Sequence, residues 1–134
     1  MEMQGTLSVS NNPVRVTGGT LLLGKTGAVL NTVPFSLEGG TLACAAGTTN
    51  TTAAVSVTAN STLAVGAGAA LTMANLTVND GQTLAIECAG GTSVKVNTAL
   101  DAATRSRIRL NGRRPRQTSD GYLFCIDGFM LIVR

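Results

Sequence analysis

Along most of this chain apolar and polar residues alternate one by one, in short runs such as "TLAV", "AAVSVTA", "NLTVND" and "TLAI". A period of two marks a strand with one buried face, and Gly- or Asn-rich stretches interrupt the runs every few residues. The dipeptide Thr-Leu then recurs at Thr20, Thr41, Thr62 and Thr83, with 21 residues between neighbours. Cutting before each Thr gives "TLLLGKTGAVLNTVPFSLEGG", "TLACAAGTTNTTAAVSVTANS", "TLAVGAGAALTMANLTVNDGQ" and "TLAIECAGGTSVKVNTALDAA". A fifth block opens on time at Thr104, but its continuation no longer resembles the others. Upstream, "GTLSVS" carries the same opening only 14 residues before Thr20, which fits a shortened first turn.

Self-similarity at a fixed period implies stacked units, none of which can bury its apolar face alone. No block offers the roughly 10 to 12 uninterrupted residues of helical pattern that a helical repeat requires. Strand alternation puts Leu21, Leu42, Leu63 and Leu84 in one inward column and Leu23, Cys44, Val65 and Ile86 in the next. Each side chain then lies on its equivalent in the neighbouring turn, about 4.8 Å away, and its burial is worth roughly 1.5–3 kcal/mol. A second strand per block supplies Val33, Phe35 and Leu37, then Val55 and Val57, Leu76 and Val78, and Val94 and Val96. The expected fold is all-β, a right-handed parallel β-helix (β-solenoid) of about six 21-residue turns over residues 1–104.

From Ile108 the composition changes. Asn111-Gly112 and Asp127-Gly128 each stand between strand-like flanks, the signature of a tight hairpin, and two of the three Phe and the one Tyr are here. Residues 105–134 are therefore expected to form a C-terminal cap of antiparallel hairpins, because an uncovered end rung is a template for another chain.

The blocks "GGTLAC", "NSTLAV" and "GQTLAI", set in Gly, Thr, Asn and Ala, resemble the passenger repeats of bacterial autotransporters, the autotransporter-associated β-strand repeat, over residues 5–104. The resemblance implies an extracellular or cell-surface β-helical stalk, part of a longer chain exported by an outer-membrane system. The start "MEMQGTLSVS" has neither the basic nor the apolar region of a leader. It suits a cytosolic protein or a piece of a longer exported one. No apolar run reaches the 18 or more residues of a membrane-spanning helix.

Composition narrows the chemistry. The chain has no His and no Trp, and aromatics make up 3% of it. Imidazole acid/base catalysis and His-ligated metal sites are excluded from it. Cys44, Cys88 and Cys125 form no C-x-x-C pair and read as small apolar residues. The net charge of +3 is unevenly placed: residues 1–104 sum to −2 and residues 105–134 to +5.

Four constellations remain. Arg105, Arg107, Arg109, Arg113, Arg114 and Arg116 are the densest charge feature, and the first three alternate as on one face of a strand. They suit a solvated face that keeps the end strand from pairing, or a surface for an anionic partner such as lipopolysaccharide, an acidic glycan or another subunit. Nucleic acid is not expected, since no aromatic is interleaved with them. Glu38, Asp80 and Asp101 share the column before the Thr, with Asp80 and Asp101 about 5 Å apart if their turns adjoin. That separation fits retaining glycoside hydrolysis, yet "NDGQ" is an ordinary turn; a glycan or calcium contact is the other use for these acids. The rank Thr20, Thr41, Thr62, Thr83 and Thr104 resembles the threonine ladders of ice-binding solenoids but lacks their second rank, having Leu22, Ala43, Ala64 and Ala85 instead. Three N-glycosylation sequons, at Asn50, Asn60 and Asn75, are expected from composition alone.

The resulting expectation is a non-enzymatic structural stalk or adhesin-like passenger segment with no cofactor and no catalytic residue. The alternatives are a glycan-binding or glycan-cleaving solenoid resembling a phage tailspike segment, and a homo-oligomer formed through the apolar cap "YLFCIDGFMLIV".

Overall fold

A computed structural model describes residues 2–3, 14–27 and 33–124. Along the described residues run β1 (Glu2–Met3), β2 (Val14–Val16), β3 (Thr20–Leu23), β4 (Phe35–Glu38), β5 (Thr41–Cys44), β6 (Thr49–Ala59) and β7 (Ser61–Val65). They continue with β8 (Ala70–Val78), β9 (Leu84–Cys88), β10 (Ser93–Val96), the helix α1 (Ala102–Ser106), β11 (Ile108–Leu110), β12 (Arg116–Gln117) and β13 (Leu123–Phe124). Odd-numbered strands β1 to β11 stack into one sheet and even-numbered strands β10 to β2 into a second. All pairs within these two sheets are parallel. The chain winds as a β-solenoid, with four complete turns from β3 to β11 rather than the expected six.

The turns that contain β6 and β8 have three flat sides. In β6 the buried residues are Asn50 and Thr52, then Val55 and Val57, so the alternation changes phase at Ala53 and Ala54. A phase change in a period-two pattern means that the strand turns a corner. β8 does the same between Met73 and Leu76. Inside, the stacked side chains form a mostly aliphatic core, with Leu23, Leu37, Leu42, Val57, Leu63, Met73, Leu84, Ile86 and Ile108 wholly buried beside Phe35 and the polar Asn50 and Thr52.

The stride of 21 holds for the first turns, in which Thr20, Thr41 and Thr62 pair in sequence and Leu21, Leu42 and Leu63 stack. It then lengthens. Thr62 pairs with Ala85 and Leu63 with Ile86, a stride of 23, and Leu84 pairs with Ile108. Leu84 is still buried, but beside Ser61 rather than Leu63. The two extra residues lie in the corner between β8 and β9, residues 79–83, where β6 and β7 are joined by Asn60 alone.

The threonine rank therefore ends at Thr62. Thr83 falls in the corner loop and Thr104 in α1. The parallel stack also runs past residue 104, to Leu110. The start "GTLSVS" lies outside the described residues; the first described rung is β1, with Glu2 opposite Leu22.

At the C-terminal end Asn111 and Gly112 both have positive φ, 49° and 82°. Leu110 and Arg113 exchange both backbone hydrogen bonds around them, the two-residue hairpin that Asn-Gly favours. β12 and β13 pair antiparallel. They dock on the last rung of the smaller sheet, where the Val96 N–H donates to the Gly121 carbonyl at 2.9 Å and Lys95 bridges Tyr122. Gln117 fastens this contact, accepting from the Leu100 N–H at 2.7 Å and donating to the Val96 and Thr98 carbonyls. The Asp127-Gly128 hairpin lies outside the described residues.

Candidate functional site

The expected acidic column does not assemble. Glu38 ends β4 on the second sheet, and both its oxygens are taken by Arg15 of the preceding rung, Nε to Oε2 at 3.0 Å and Nη2 to Oε1 at 2.8 Å. The Ser36 hydroxyl donates to Oε2 at 2.7 Å. These bonds hold the Glu38 carboxyl below its ordinary value, the hydrogen bond from Arg15 first, and raise Arg15 in turn. Asp80 sits in the lengthened corner and accepts from Arg107 at 3.1 Å. Asp101 is the N-cap of α1; its Oδ1 accepts from the Thr104 N–H at 2.7 Å, and that bond, ahead of the Arg107 and Arg105 charges, lowers its acidity range. Among the described residues no three His, Cys, Asp or Glu side chains are gathered closely enough to hold a metal ion.

The arginines divide by task. The expectation that Arg105, Arg107 and Arg109 line one strand is corrected by α1, which takes residues 102–106. Asp101 supplies a capping carboxylate and Ala102 and Ala103 favour helix, which outweighs an alternation carried only by arginine spacing. Arg107, at the helix C-cap, reaches back to the Val78 carbonyl at 3.0 Å and to Asp80, so it clamps the two-residue insertion. Arg109 folds its guanidinium over the open edge of the last rung, donating to the Ser106 and Ile108 carbonyls at 2.7 and 2.9 Å. This side chain occupies acceptors that another strand would need. Arg113, Arg114 and Arg116 are exposed on the cap.

Cys44 is buried, and burial pushes its thiol up to about 12; burial also raises half-buried Cys88, two rungs away in the same column. Both thiols stay protonated at neutral pH, which suits packing rather than nucleophilic chemistry. Cys125 lies outside the described residues. No described helix is long and apolar enough to cross a membrane.

One grouping was not foreseen from the sequence. Tyr122 and Phe124 are the large hydrophobic side chains that the described residues leave exposed, at 42% and 39%. They flank buried Leu123 on β13, so they share the outer face of the hairpin, and Phe124 stands opposite Arg116. The Lys95 ammonium lies 5.4 Å from the centre of the Tyr122 ring. The alternation of Tyr122-Leu123-Phe124 was the available signal; the pairing with Arg116 needed the fold. Compared with protein-family models, curated proteins and solved structures, the chain matches none.

Proposed function

We propose that this chain is a non-enzymatic structural segment, a rigid β-solenoid spacer of an exported, surface-exposed bacterial protein of the autotransporter passenger type. One observation carries the reading: the three carboxylates that could have formed a reactive column are dispersed, each bonded within the chain to a different partner. Glu38 ties two rungs, Asp80 fastens the long corner and Asp101 starts the helix that leads to the last rung. The core is continuous and mostly aliphatic, and burial raises the pKa of both described thiols above its ordinary value. Rungs stacked this way gain stability mainly from nearest neighbours, which gives length and stiffness at small sequence cost.

The test is export. The chain would be placed between an epitope tag and an outer-membrane barrel translocator in a Gram-negative host. The expected result is a tag that antibody and external protease reach on intact cells. Retention of a folded chain inside the cell would contradict the reading.

A further inference from the structure

We propose that the outer face of the cap hairpin, built from Phe124, Tyr122, Arg116 and Lys95, binds a carboxylate-bearing polysaccharide chain. The inference names a ligand class for the surface segment proposed above and rests on that reading. Its starting point is a misallocation by the ordinary rules of burial. The chain has four aromatic residues in all; Phe35 lies in the core among Leu, Val, Ile and Met, yet Tyr122 and Phe124 stand exposed two residues apart on the cap. Tyr122 and Phe124 are two residues apart on one strand face, so their attachment points are about 7 Å apart. Two ring faces this close can be covered by one polymer chain.

The charge beside the rings is positive and available. Arg116 faces Phe124 directly across the hairpin, and its exposed side chain makes no hydrogen bond or ion pair among the described residues. Lys95 steadies the Tyr122 ring through a cation–π contact and keeps its charge beside it. The patch thus offers about one cation per ring, complementary to a polymer whose sugar rings each carry one carboxylate. A single-stranded nucleic acid would use the same rings. Holding its backbone also takes a positively charged groove that tracks successive phosphates, however. The neighbouring arginines do not extend the patch into such a groove: Arg107 and Arg109 are spent on Asp80 and on backbone carbonyls, and Arg113 and Arg114 have partners within the chain.

The experiment titrates the full chain with polygalacturonate at low salt, with dextran and oligothymidylate as comparison polymers. Phe124→Ser, Arg116→Glu and Arg105→Glu are run alongside; the first two change exposed side chains of the patch and the third lies outside it on α1. Binding of polygalacturonate but not dextran is expected, at least about fivefold weaker in Phe124→Ser and in Arg116→Glu, with Arg105→Glu close to the parent. Three results would overturn the proposal: no binding of the polyuronate, equal weakening by Arg105→Glu, or tighter binding of oligothymidylate. Far-ultraviolet circular dichroism of each variant separates loss of the patch from loss of the fold. Lost binding in a chain that still reaches the cell surface would remove the ligand and leave the spacer; a chain that binds but is not exported would remove the spacer.

Discussion

At the residue scale, the polar side chains of this solenoid act as rivets between rungs, and the Arg15–Glu38 pair is the clearest of them. Its two-pronged geometry and the added Ser36 bond stabilise the ionised carboxylate, so the folded-state pKa of Glu38 lies below its unfolded value. A group shifted downward contributes stability that is fully present above the unfolded pKa and is lost as pH falls through the folded one. Asp101 is shifted in the same direction and adds to the trend. Urea unfolding should therefore show stability falling as pH drops through and below about 4.5, the ordinary carboxylate range. Glu38→Gln should be less stable than the parent at pH 7 and should lose part of that acid-dependent slope. A slope unchanged by the substitution would show that the pair does not couple the rungs.

At the element scale, what matters is how each end of a stacked sheet is closed. The last rung of the larger sheet is shielded by its own arginine, Arg109, and by the Asn111-Gly112 hairpin; the last rung of the smaller sheet is closed by the β12–β13 hairpin. Gly121 makes that second closure. Its φ is 102°, and a Cβ there would press into the Val96 carbonyl. Gly121→Ala should cost about 1–3 kcal/mol for the backbone conformation alone, with the steric conflict adding to it. Hydrogen exchange should locate the damage at the Val96 amide, which is hydrogen-bonded to Gly121. Normal protection of that amide in the variant would mean that the hairpin is not the clasp. The hairpin turn itself was legible in Asn111-Gly112. The helix α1 was not, because three alternating arginines imitate a strand, whereas the deciding contact, Asp101 with Thr104, is local and easily passed over in a chain rich in Thr and Asn.

At the scale of the whole molecule, the sequence discloses the architecture more fully than the register. Inward columns such as Leu21-Leu42-Leu63 can be read directly from the repeat, and so can the parallel stacking they require. The lengthened turn is hidden for a physical reason: a shift of one residue would have turned every side chain of β9 to the wrong face, but a shift of two leaves all faces unchanged. Leu84, Ala85 and Ile86 therefore satisfy strides of 21 and 23 equally well by pattern. The difference is made in residues 79–83, an ordinary polar corner held by the Arg107 clamp, by Asn60, which accepts from the Thr83 N–H, and by the Ser61 N–H, which donates to the Thr83 carbonyl. The acidic column was lost with the same step, since its members had been aligned by the strict stride. The outward aromatic and cationic face of the cap depends on contacts between β10, β12 and β13 that no repeat encodes.

The most direct test of this stacking is disulfide trapping across the lengthened turn. In a background with Cys44, Cys88 and Cys125 replaced by alanine, Thr62→Cys would be combined either with Ala85→Cys or with Thr83→Cys, and the fraction oxidised measured by thiol alkylation and mass spectrometry. Thr62 and Ala85 face outward on paired rungs, within the separation a disulfide bridges. Near-complete oxidation of the Thr62→Cys/Ala85→Cys chain, with little in Thr62→Cys/Thr83→Cys, is the expected result. The reverse preference would restore a uniform stride of 21 and contradict the structure described here.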